Sequence, residues 1–499
     1  MNREQLSDAI GRLDDELVSV AIHTRRRKPW WYSAVAVAAC IALVLGAVTV
    51  WPYVSPDGER PAVDTPDVSV TDDTTTTAEQ PTKSTVPRAK AALLAAPSYP
   101  EMVKRTDTNL DEWKESRSRQ REKINGQTDG MTGFYQHTIT AFLSGNAGEN
   151  RVYSPLNVYM ALSMLAEITE GNSRTQLTEL LGVSNLSALR KKNAALWNGV
   201  YIDDGLTSSR LGNSLWLDNG GQYAYDADTV DRLAGSYYAS VYRGEMGSDA
   251  YNKQLQQWMN EQTDGLLKNE VQNVKFSYNT VLALVSTICF KAGWVGKFSE
   301  YSTTQETFHT VGGDKTCAFM KTSEKTTAYF GDHYTAVARG LDDGSFRMVF
   351  FLPDEDSSVD EVIRDPQMVA LLEENTGGIR QRKIKVNMRI PKFDVKADYS
   401  LDEGLKSLGV TDIFDDTKSD FGGIVENSDG MYASASHAAR VKIDEEGAEG
   451  VAFTFVEGLR KGPTAQKEES MDFILDRPFV FAITGPGNTI LFAGVVENP

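Results

Sequence analysis

The stretch that decides the fold class is FVFAITGPGNTILFAGVV, residues 479–496, close to the C-terminus. Two apolar runs of strand length flank the turn residues GPGN at 485–488, and this pattern predicts a buried β-hairpin. RMVFFLP (347–353) and RPFVFAIT (477–484) are also apolar runs of strand length. The C-terminal part of the chain is therefore predicted to build β-sheets.

Closer to the N-terminus, the apolar residues change their spacing. GFYQHTITAFL (133–143) and NVYMALSMLAEI (157–168) carry apolar residues at helical intervals. Helices that come first, with large sheets later, indicate an α+β fold. A chain of 499 residues is long enough for one large domain with accessory segments.

The composition excludes some classes of partner and site. The formal net charge is −18, whereas a face that binds nucleic acid must be basic, so nucleic acid is not an expected partner. The three cysteines, Cys40, Cys289 and Cys317, form no CxxC pair. Neither a disulfide framework nor a zinc site is indicated.

Residues 30–53, WWYSAVAVAACIALVLGAVTVWPY, carry no charge and are predicted to form a transmembrane helix. At about 1.5 Å per residue, such a helix spans a hydrocarbon layer of ~30 Å. Aromatic residues lie at both ends, and the basic run RRRK (25–28) precedes the segment. The positive-inside rule places residues 1–29 in the cytosol and the rest of the chain outside the cell membrane.

A cleaved signal peptide is the competing interpretation of this segment. Its apolar core would be shorter and would end in small residues, whereas this run ends in Trp51 and Pro52. VAAC (37–40) also matches a bacterial lipoprotein cleavage box, but Cys40 lies in the middle of the apolar run. An uncleaved anchor is favoured, which fits protection of a bacterial cell surface.

Residues 54–104 are rich in Pro, Thr, Asp and Ala and are predicted to be a disordered linker. The folded domain is predicted to cover residues 105–499. At its start, the polar stretch 101–125 has helical spacing around Leu110 and Trp113, so we expect a solvated lead-in helix.

No motif of a catalytic or cofactor-binding site is found. The chain has no GxSxG nucleophile elbow, no HExxH pair and no GxxxxGK[ST] phosphate loop. The acidic pair Asp342 and Asp343 is interpreted as part of a solvated loop. The sequence therefore predicts neither an enzyme nor a metal or cofactor site.

An ordered series of sequence blocks resembles the serpin family over about 365 residues, most strongly at 133–499. The blocks are NRVYSPLNVYMALSMLAEITEGNSRTQLTELLG (150–182), NSLWL (213–217), WMNEQTDGLL (258–267), VLALVSTICFKAGWVGKF (281–298), IPKFDV (390–395), LKSLGVTDIF (405–414), HAARVKIDEEGAEGVAFTF (437–455), DRPFVFAI (476–483) and ILFAGVVENP (490–499). Each block alone is a weak signal, but the ordered set is specific.

This resemblance implies three β-sheets, namely a five-stranded central sheet and two smaller ones, together with eight or nine helices and an exposed reactive loop. In inhibitory members, a serine protease, or sometimes a cysteine protease, cleaves the loop. The freed segment then inserts into the central sheet as a new strand and distorts the acylated protease. Such an inhibitor is expected to be a monomer. Its native state is metastable and persists because its conversion to the inserted state is slow.

The hinge implied by the resemblance comprises Glu445, Glu446, Gly447, Ala448, Glu449, Gly450, Val451, Ala452, Phe453 and Thr454. Alternate residues of an inserted strand must face a packed core. From Ala448 this inward set is Ala448, Gly450, Ala452 and Thr454, all of them small. Insertion is therefore sterically allowed.

Two functions stay open, because the family more often has Thr or Ser at the position of Ala448 and a string of alanines after it. The first is inhibition of proteases by loop insertion. The alternative is a non-inhibitory serpin that acts as a binding or chaperone-like module. The apolar Val451, Phe453 and Phe455 also predict a tendency to pair with the sheet of another molecule.

The family spacing from Gly447 places the reactive bond between Lys461 and Gly462, with Arg460 as the alternative residue before it. Either basic residue matches the acidic specificity pocket of trypsin-like proteases. An extracellular trypsin-like serine protease is therefore the expected partner.

Two further regions come from the resemblance alone. Where the central sheet parts, serpins join a Ser, an Asn and a His, and here the region holds Ser154, Asn157, Ser286 and His437, with Ser and Asn exchanged. Trp294 and Lys392 match the positions where the loop first enters the sheet, with Lys392 as a partner for Glu445.

Overall fold

The structure of the protein is a computed structural model that describes residues 37–45, 49–50, 92–106, 108–145, 147–220, 223–268, 271–445 and 469–499. For residues 37–45 and 49–50 it describes the backbone only. Residues 446–454 of the hinge and the predicted reactive bond, with Arg460, Lys461 and Gly462, lie outside the described residues, as do residues 1–29.

Ten α-helices occur in the described part of the chain. They are α1 (Leu110–Glu122), α2 (Thr132–Leu143), α3 (Pro155–Ile168), α4 (Gly171–Leu180), α5 (Leu186–Val200), α6 (Ala227–Tyr237), α7 (Asp249–Gln262), α8 (Val359–Arg364), α9 (Pro366–Leu372) and α10 (Asp402–Ser407). The predicted helices at 133–143 and 157–168 are confirmed as α2 and α3.

The strands follow the predicted α+β order, with most of them in the second half of the chain. They are β1 (Val37–Leu45), β2 (Thr49–Val50), β3 (Ala92–Ala95), β4 (Arg151–Tyr153), β5 (Ile202–Asp203), β6 (Ser208–Asp218), β7 (Ala239–Gly244), β8 (Leu282–Lys291), β9 (Thr304–Thr310), β10 (Gly313–Phe330), β11 (Tyr334–Leu341), β12 (Phe346–Pro353), β13 (Arg380–Pro391), β14 (Phe393–Ser400), β15 (Met431–Tyr432), β16 (Ala435–Ile443), β17 (Ser470–Ile474), β18 (Phe479–Gly485) and β19 (Thr489–Val496).

The central sheet has eight strands in the order β14-β16-β1-β8-β6-β7-β3, with β5 beside β6. Five of them, β14, β16, β8, β6 and β7, make up the expected five-stranded sheet. The other three, β1, β3 and β5, are additions to it, and two of these additions come from the segment before residue 105.

The second sheet has nine strands in the order β17-β13-β10-β11-β12-β18-β19-β4, with β9 beside β10. The two smaller sheets expected from the resemblance are joined here, because β10 is 18 residues long and pairs with β9 at its start and with β11 at its end. The predicted C-terminal hairpin is confirmed, since β18 and β19 pair antiparallel around Pro486–Asn488. A third sheet contains only β2 and β15.

Helix α3 lies at the centre of the core, between the two large sheets. All 14 of its residues are buried, which fits a helix that is apolar on every side. Ser154 caps its N-terminus by accepting a hydrogen bond from the backbone N–H of Asn157, and Pro155 occupies the first turn. The cap fixes the helix start next to β8 and β16, where the candidate site lies.

The predicted transmembrane helix over 30–53 is not what the structure has at Val37–Leu45, which form the strand β1 instead. A continuous apolar run of this length fits a fully buried strand as well as a helix, so its periodicity cannot separate the two. Among the described residues, no helix is both long and apolar enough to cross a membrane.

The structure also differs from the predicted linker over residues 92–104. Strand β3 pairs with β7 at the edge of the central sheet. Tyr99 stacks on Trp197 and Tyr201 of the α5 region, with ring centroids 5.2 and 5.6 Å apart. The short apolar strand β3 and the aromatic residue Tyr99 thus attach to the domain a segment whose composition is otherwise that of a linker.

The lead-in helix around Leu110 and Trp113 is present as α1, but only part of its surface is solvated. Its face formed by Trp113, Arg117 and Gln120 is buried. Arg117 ion-pairs with the carboxylates of Asp342, Asp343 and Asp204. The prediction of a solvated loop is wrong for Asp342, whose side chain is fully buried, whereas Asp343 is exposed in the turn. Neutralisation by a buried arginine explains how the carboxylates of Asp204 and Asp342 tolerate burial.

Replacing Arg117 with Met should destabilise the fold by about 3–5 kcal/mol, because Asp204 and Asp342, whose side chains are fully buried, would lose their positive partner. Urea unfolding measures this loss. Arg119→Met is the matched control, since its side chain is 66% exposed and pairs only with exposed Glu115, a pair worth at most about 0.5 kcal/mol. Equal losses for both variants would contradict this account of the cluster.

Candidate functional site

The candidate site is the end of β16, where the chain leaves the central sheet. Strand β16 ends at Ile443, and Glu445 follows as the last residue described before residue 469. The chain resumes in β17, which belongs to the second sheet and pairs parallel with β13. A connection of this length between two ordered strands is uncommon and usually functional.

Glu445 is held tightly although it begins a long connection. It is 6% exposed, and its carboxylate accepts hydrogen bonds from Lys392 Nζ at 2.6 Å and from Thr303 Oγ1 at 2.7 Å. Burial acts to raise the pKa of Glu445, but the bonds from Lys392 and Thr303 outweigh it, and the pKa is lowered. The carboxylate therefore stays ionised, and the hinge is anchored at its first residue.

The pair of Lys392 with Glu445 that the resemblance implied is present in the structure. Thr303 was not predicted as a third member. Its role depends on how the turn before β9 approaches the end of β16, and no local sequence pattern reports that distance.

Trp294 lies next to the same point. Its indole Nε1 donates a hydrogen bond to the backbone carbonyl of Asp444 at 2.9 Å. The guanidinium of Arg339 lies 5.5 Å from the indole ring centroid and 4.2 Å from that of Phe298. Trp294 and Lys392 thus contact two consecutive residues at the root of the hinge.

A second cluster lies deeper, between β8, β16 and α3. Ser286 Oγ lies 2.5 Å from Asn157 Oδ1 and 2.6 Å from Asn213 Oδ1, and Asn157 Nδ2 donates to the backbone carbonyl of Ser286 at 3.2 Å. A hydroxyl has one proton, so Ser286 can donate to only one of these two oxygens at a time. The exchanged Ser and Asn are hydrogen-bonded to each other, and Asn213 of β6 is a member that was not predicted.

His437 completes this cluster from the side of β16. Its Nε2 accepts the backbone N–H of Ser154 at 3.2 Å, and its ring packs between those of Tyr153 and Tyr399. No hydrogen-bond partner for its Nδ1 occurs among the residues that the structure describes. The side chain is fully buried, and burial lowers the pKa of His437 to about 3.

The protein should therefore lose stability in acid through His437. The unfolded chain takes up a proton below about pH 6.5, whereas the folded chain does so only near pH 3, so this contribution is present above pH 6.5 and declines as the pH falls towards 3. Between pH 7.5 and 5 the loss should be about 2 kcal/mol.

Urea unfolding at the two pH values measures this loss, with His437→Gln as the variant that removes it. His309→Gln is the control, because the side chain of His309 is exposed and lies beside the exposed Asp314. A variant His437→Gln that keeps the full pH dependence of the natural chain would contradict the assignment.

The strand position between β8 and β16 is occupied in this structure. Strand β1 pairs antiparallel with both neighbours, and Leu43 lies opposite Ser286 on one side and His437 on the other. A loop segment that inserts between β8 and β16 would need this same position.

The chain is similar to known proteins in sequence and in fold. The family model described as "Serpin (serine protease inhibitor)" matches residues 130–499. The chain is 26% identical over 402 residues to Serpin-ZX of Arabidopsis thaliana, covering 76% of this chain and 99% of the relative. It is 28% identical over 391 residues to human Antithrombin-III, covering 74% and 80%.

Solved structures share the fold. The native state of the thermophilic serpin Tengpin matches with a TM-score of 0.64 and 22% identity, covering 82% of this chain and all of that one. The native stressed conformation of Arabidopsis AtSerpin1 matches with a TM-score of 0.61 and 24% identity, covering 76% and 98%.

Proposed function

We propose that this chain, which belongs to the serpin family, traps trypsin-like serine proteases as a suicide-substrate inhibitor. Members of the family are mostly protease inhibitors rather than enzymes. We further propose that the target is trypsin-like and extracellular, that the bond cleaved joins Lys461 and Gly462, and that the chain acts as a monomer.

The observation that carries the proposal is the way in which β16 passes into the hinge. Glu445 is fixed by Lys392 and Thr303, and Asp444 by Trp294, so the chain is ordered up to the residue at which a loop would fold back. Beyond it, residues 446–468 connect the central sheet to β17 in the other sheet. A protease that cuts this connection separates its two halves.

The proposed reaction starts with attack of the serine hydroxyl of the protease on the carbonyl carbon of Lys461. The bond to the nitrogen of Gly462 breaks, Gly462 leaves as a free amine with β17, and the protease stays bound to Lys461 as an ester. The segment from Glu446 to Lys461 then folds back beside β16. Its small inward residues Ala448, Gly450, Ala452 and Thr454 support this step.

Insertion must outpace hydrolysis of the ester for the protease to be trapped. The cluster of Ser286, Asn157 and His437 lies along the strand position and ties α3 to the walls β8 and β16. In this structure these hydrogen bonds are formed while β1 occupies that position, so they are compatible with a strand inserted between β8 and β16.

Incubation of the full-length chain, reconstituted in phosphatidylcholine vesicles, with trypsin tests the proposal. An inhibitor gives a covalent complex that survives SDS, and the C-terminal fragment, which contains β17, begins at Gly462. Clean cleavage without any complex, and without a rise in the thermal stability of the cleaved chain, would favour the non-inhibitory binding or chaperone-like alternative.

We also infer that residues 30–53 hold the chain at a cell membrane, with residues 1–29 in the cytosol and the serpin domain outside. The support is the uncharged length of the segment, its aromatic ends and the basic residues before it. Protease protection of a tag at the N-terminus in intact cells tests this orientation, and digestion of that tag would overturn it.

A further inference from the structure

We propose that Val37–Leu45 is a regulatory strand, which fills the position needed by the reactive loop and must leave the central sheet before a protease can be trapped. This inference rests on the proposed function, because it concerns the same insertion step. The occupant is a segment of this chain, and its alternative environment is a lipid bilayer.

The pairing of β1 is continuous on both sides. Nine residues pair with β16, from Val37 opposite Ile443 to Leu45 opposite Ala435. Eight of them also pair with β8, from Ala38 opposite Lys291 to Leu45 opposite Leu284. In the described residues, β8 and β16 meet only through this strand.

The direction of β1 is the one that an inserted loop would have. A segment that follows β16 and folds back beside it must run antiparallel to β16. Strand β1 is antiparallel to both β16 and β8, and its first residue lies opposite Ile443, the last residue of β16. The first residues of the loop and Val37–Leu45 therefore compete for the same backbone partners.

The composition of β1 suits this position. VAACIALVL has no charge and no proline, so it neither buries an unpaired ion nor lacks a ladder donor. The neighbouring strand segments are themselves buried, including Leu284 and Ile288 of β8 and Ala439 and Val441 of β16. A continuous apolar run is typical of a strand covered on both faces.

The chain beyond β1 returns to the same sheet. Strand β3 pairs with β7 at the opposite side of β8, and Tyr99 and α1 continue the contact with the domain. The segment before the serpin domain thus supplies both a central and an edge strand. This second attachment keeps β1 at a high effective concentration near its position.

The same residues form the middle of the uncharged stretch 30–53. They cannot lie in a bilayer and in the central sheet at once. A bilayer that takes up this stretch empties the position between β8 and β16. The inhibitor is therefore active where it is anchored, and elsewhere it stays inactive with β1 in the sheet. This is a two-state equilibrium biased by one ligand, the membrane.

Two cysteines make the strand testable in the natural chain. Cys40 lies directly opposite Cys289 in the register of β1 with β8. Opposed residues of antiparallel strands have Cα atoms ~4.5–5.5 Å apart, within the range of a disulfide. Cys317 lies in β10 of the other sheet and is the internal control.

The experiment compares the full-length chain in buffer with the same chain reconstituted in phosphatidylcholine vesicles. Diamide accepts two electrons and two protons from the paired thiols, and peptide mass spectrometry locates the disulfide. We expect the Cys40–Cys289 bond in buffer and its loss in vesicles. The yield of SDS-stable trypsin complex should be about tenfold or more higher in vesicles.

A second variant provides an independent test of the strand. Ile41→Pro removes a ladder donor from the middle of β1 and should restore complex formation in buffer. Ala47→Pro, beyond the end of β1, is the matched control and should leave the yield low.

The outcomes separate this inference from the proposed function. Equal complex yields in buffer and vesicles, or no Cys40–Cys289 bond in buffer, would overturn the regulatory strand while the inhibitor stands. A Cys40–Cys289 bond with no complex in vesicles or with Ile41→Pro would overturn the proposed inhibition and, with it, the regulatory role of the strand.

Discussion

Ala452→Arg should turn the inhibitor into a substrate of trypsin, with normal cleavage of the loop and no trapped complex. Ala452 belongs to the inward set of the hinge, so an arginine there would enter the sheet beside buried residues such as Ile288 and Ala439. Burying an unpaired charge costs several kcal/mol. Since each ~1.4 kcal/mol slows a step tenfold, insertion should slow about 1,000-fold and lose the competition with hydrolysis.

SDS gels of variant and protease at equal concentrations measure the partition between complex and cleaved chain. Phe453→Arg is the matched control, because the next residue along a strand points to the opposite face. It should keep most of the complex. If the two variants behaved alike, the period-two assignment of the hinge would be wrong.

Lys461→Leu should change which class of serine protease the chain inhibits. A trypsin-like pocket buries a carboxylate that pairs with a basic residue, and an aliphatic residue leaves this carboxylate without a partner. The rate constant for inhibition of trypsin should fall by about 10⁴-fold, while inhibition of a chymotrypsin-like enzyme should appear.

Arg460→Leu provides the comparison for this variant. It should change the rate constant for trypsin by less than about tenfold if Lys461 precedes the cleaved bond. A large loss for Arg460→Leu with little change for Lys461→Leu would move the reactive bond by one residue. Progress curves with each enzyme give both rate constants.

The local patterns that agreed with the structure are those that depend only on the residues of one helix or one hairpin. The apolar spacing of 157–168 predicted α3, and the turn residues at 485–488 predicted the hairpin of β18 and β19. Both elements are buried on all sides, so packing and sequence demand the same residues. The contact of Lys392 with Glu445 came from the family resemblance and not from any local pattern.

The N-terminal segment shows where local patterns fail. An apolar run fits a bilayer, a buried helix or a central strand equally well, and only its pairing with β8 and β16 in the structure distinguishes them. The sequence of Asp342 and Asp343 likewise contains no sign of Arg117, which lies more than 220 residues earlier in the chain. Thr303 and Asn213 escaped prediction for the same reason, since their partners are set by tertiary structure.

Strand β3 affects the tendency of these molecules to aggregate at high concentration. Its pairing with β7 covers a backbone edge that would otherwise offer free N–H and C=O groups to a neighbour. Residues 92–95 therefore protect the edge of β7 from pairing with a strand of another molecule. A protease that trims the chain just before Tyr99 would spare the reactive loop and yet leave a molecule prone to stack with its own copies.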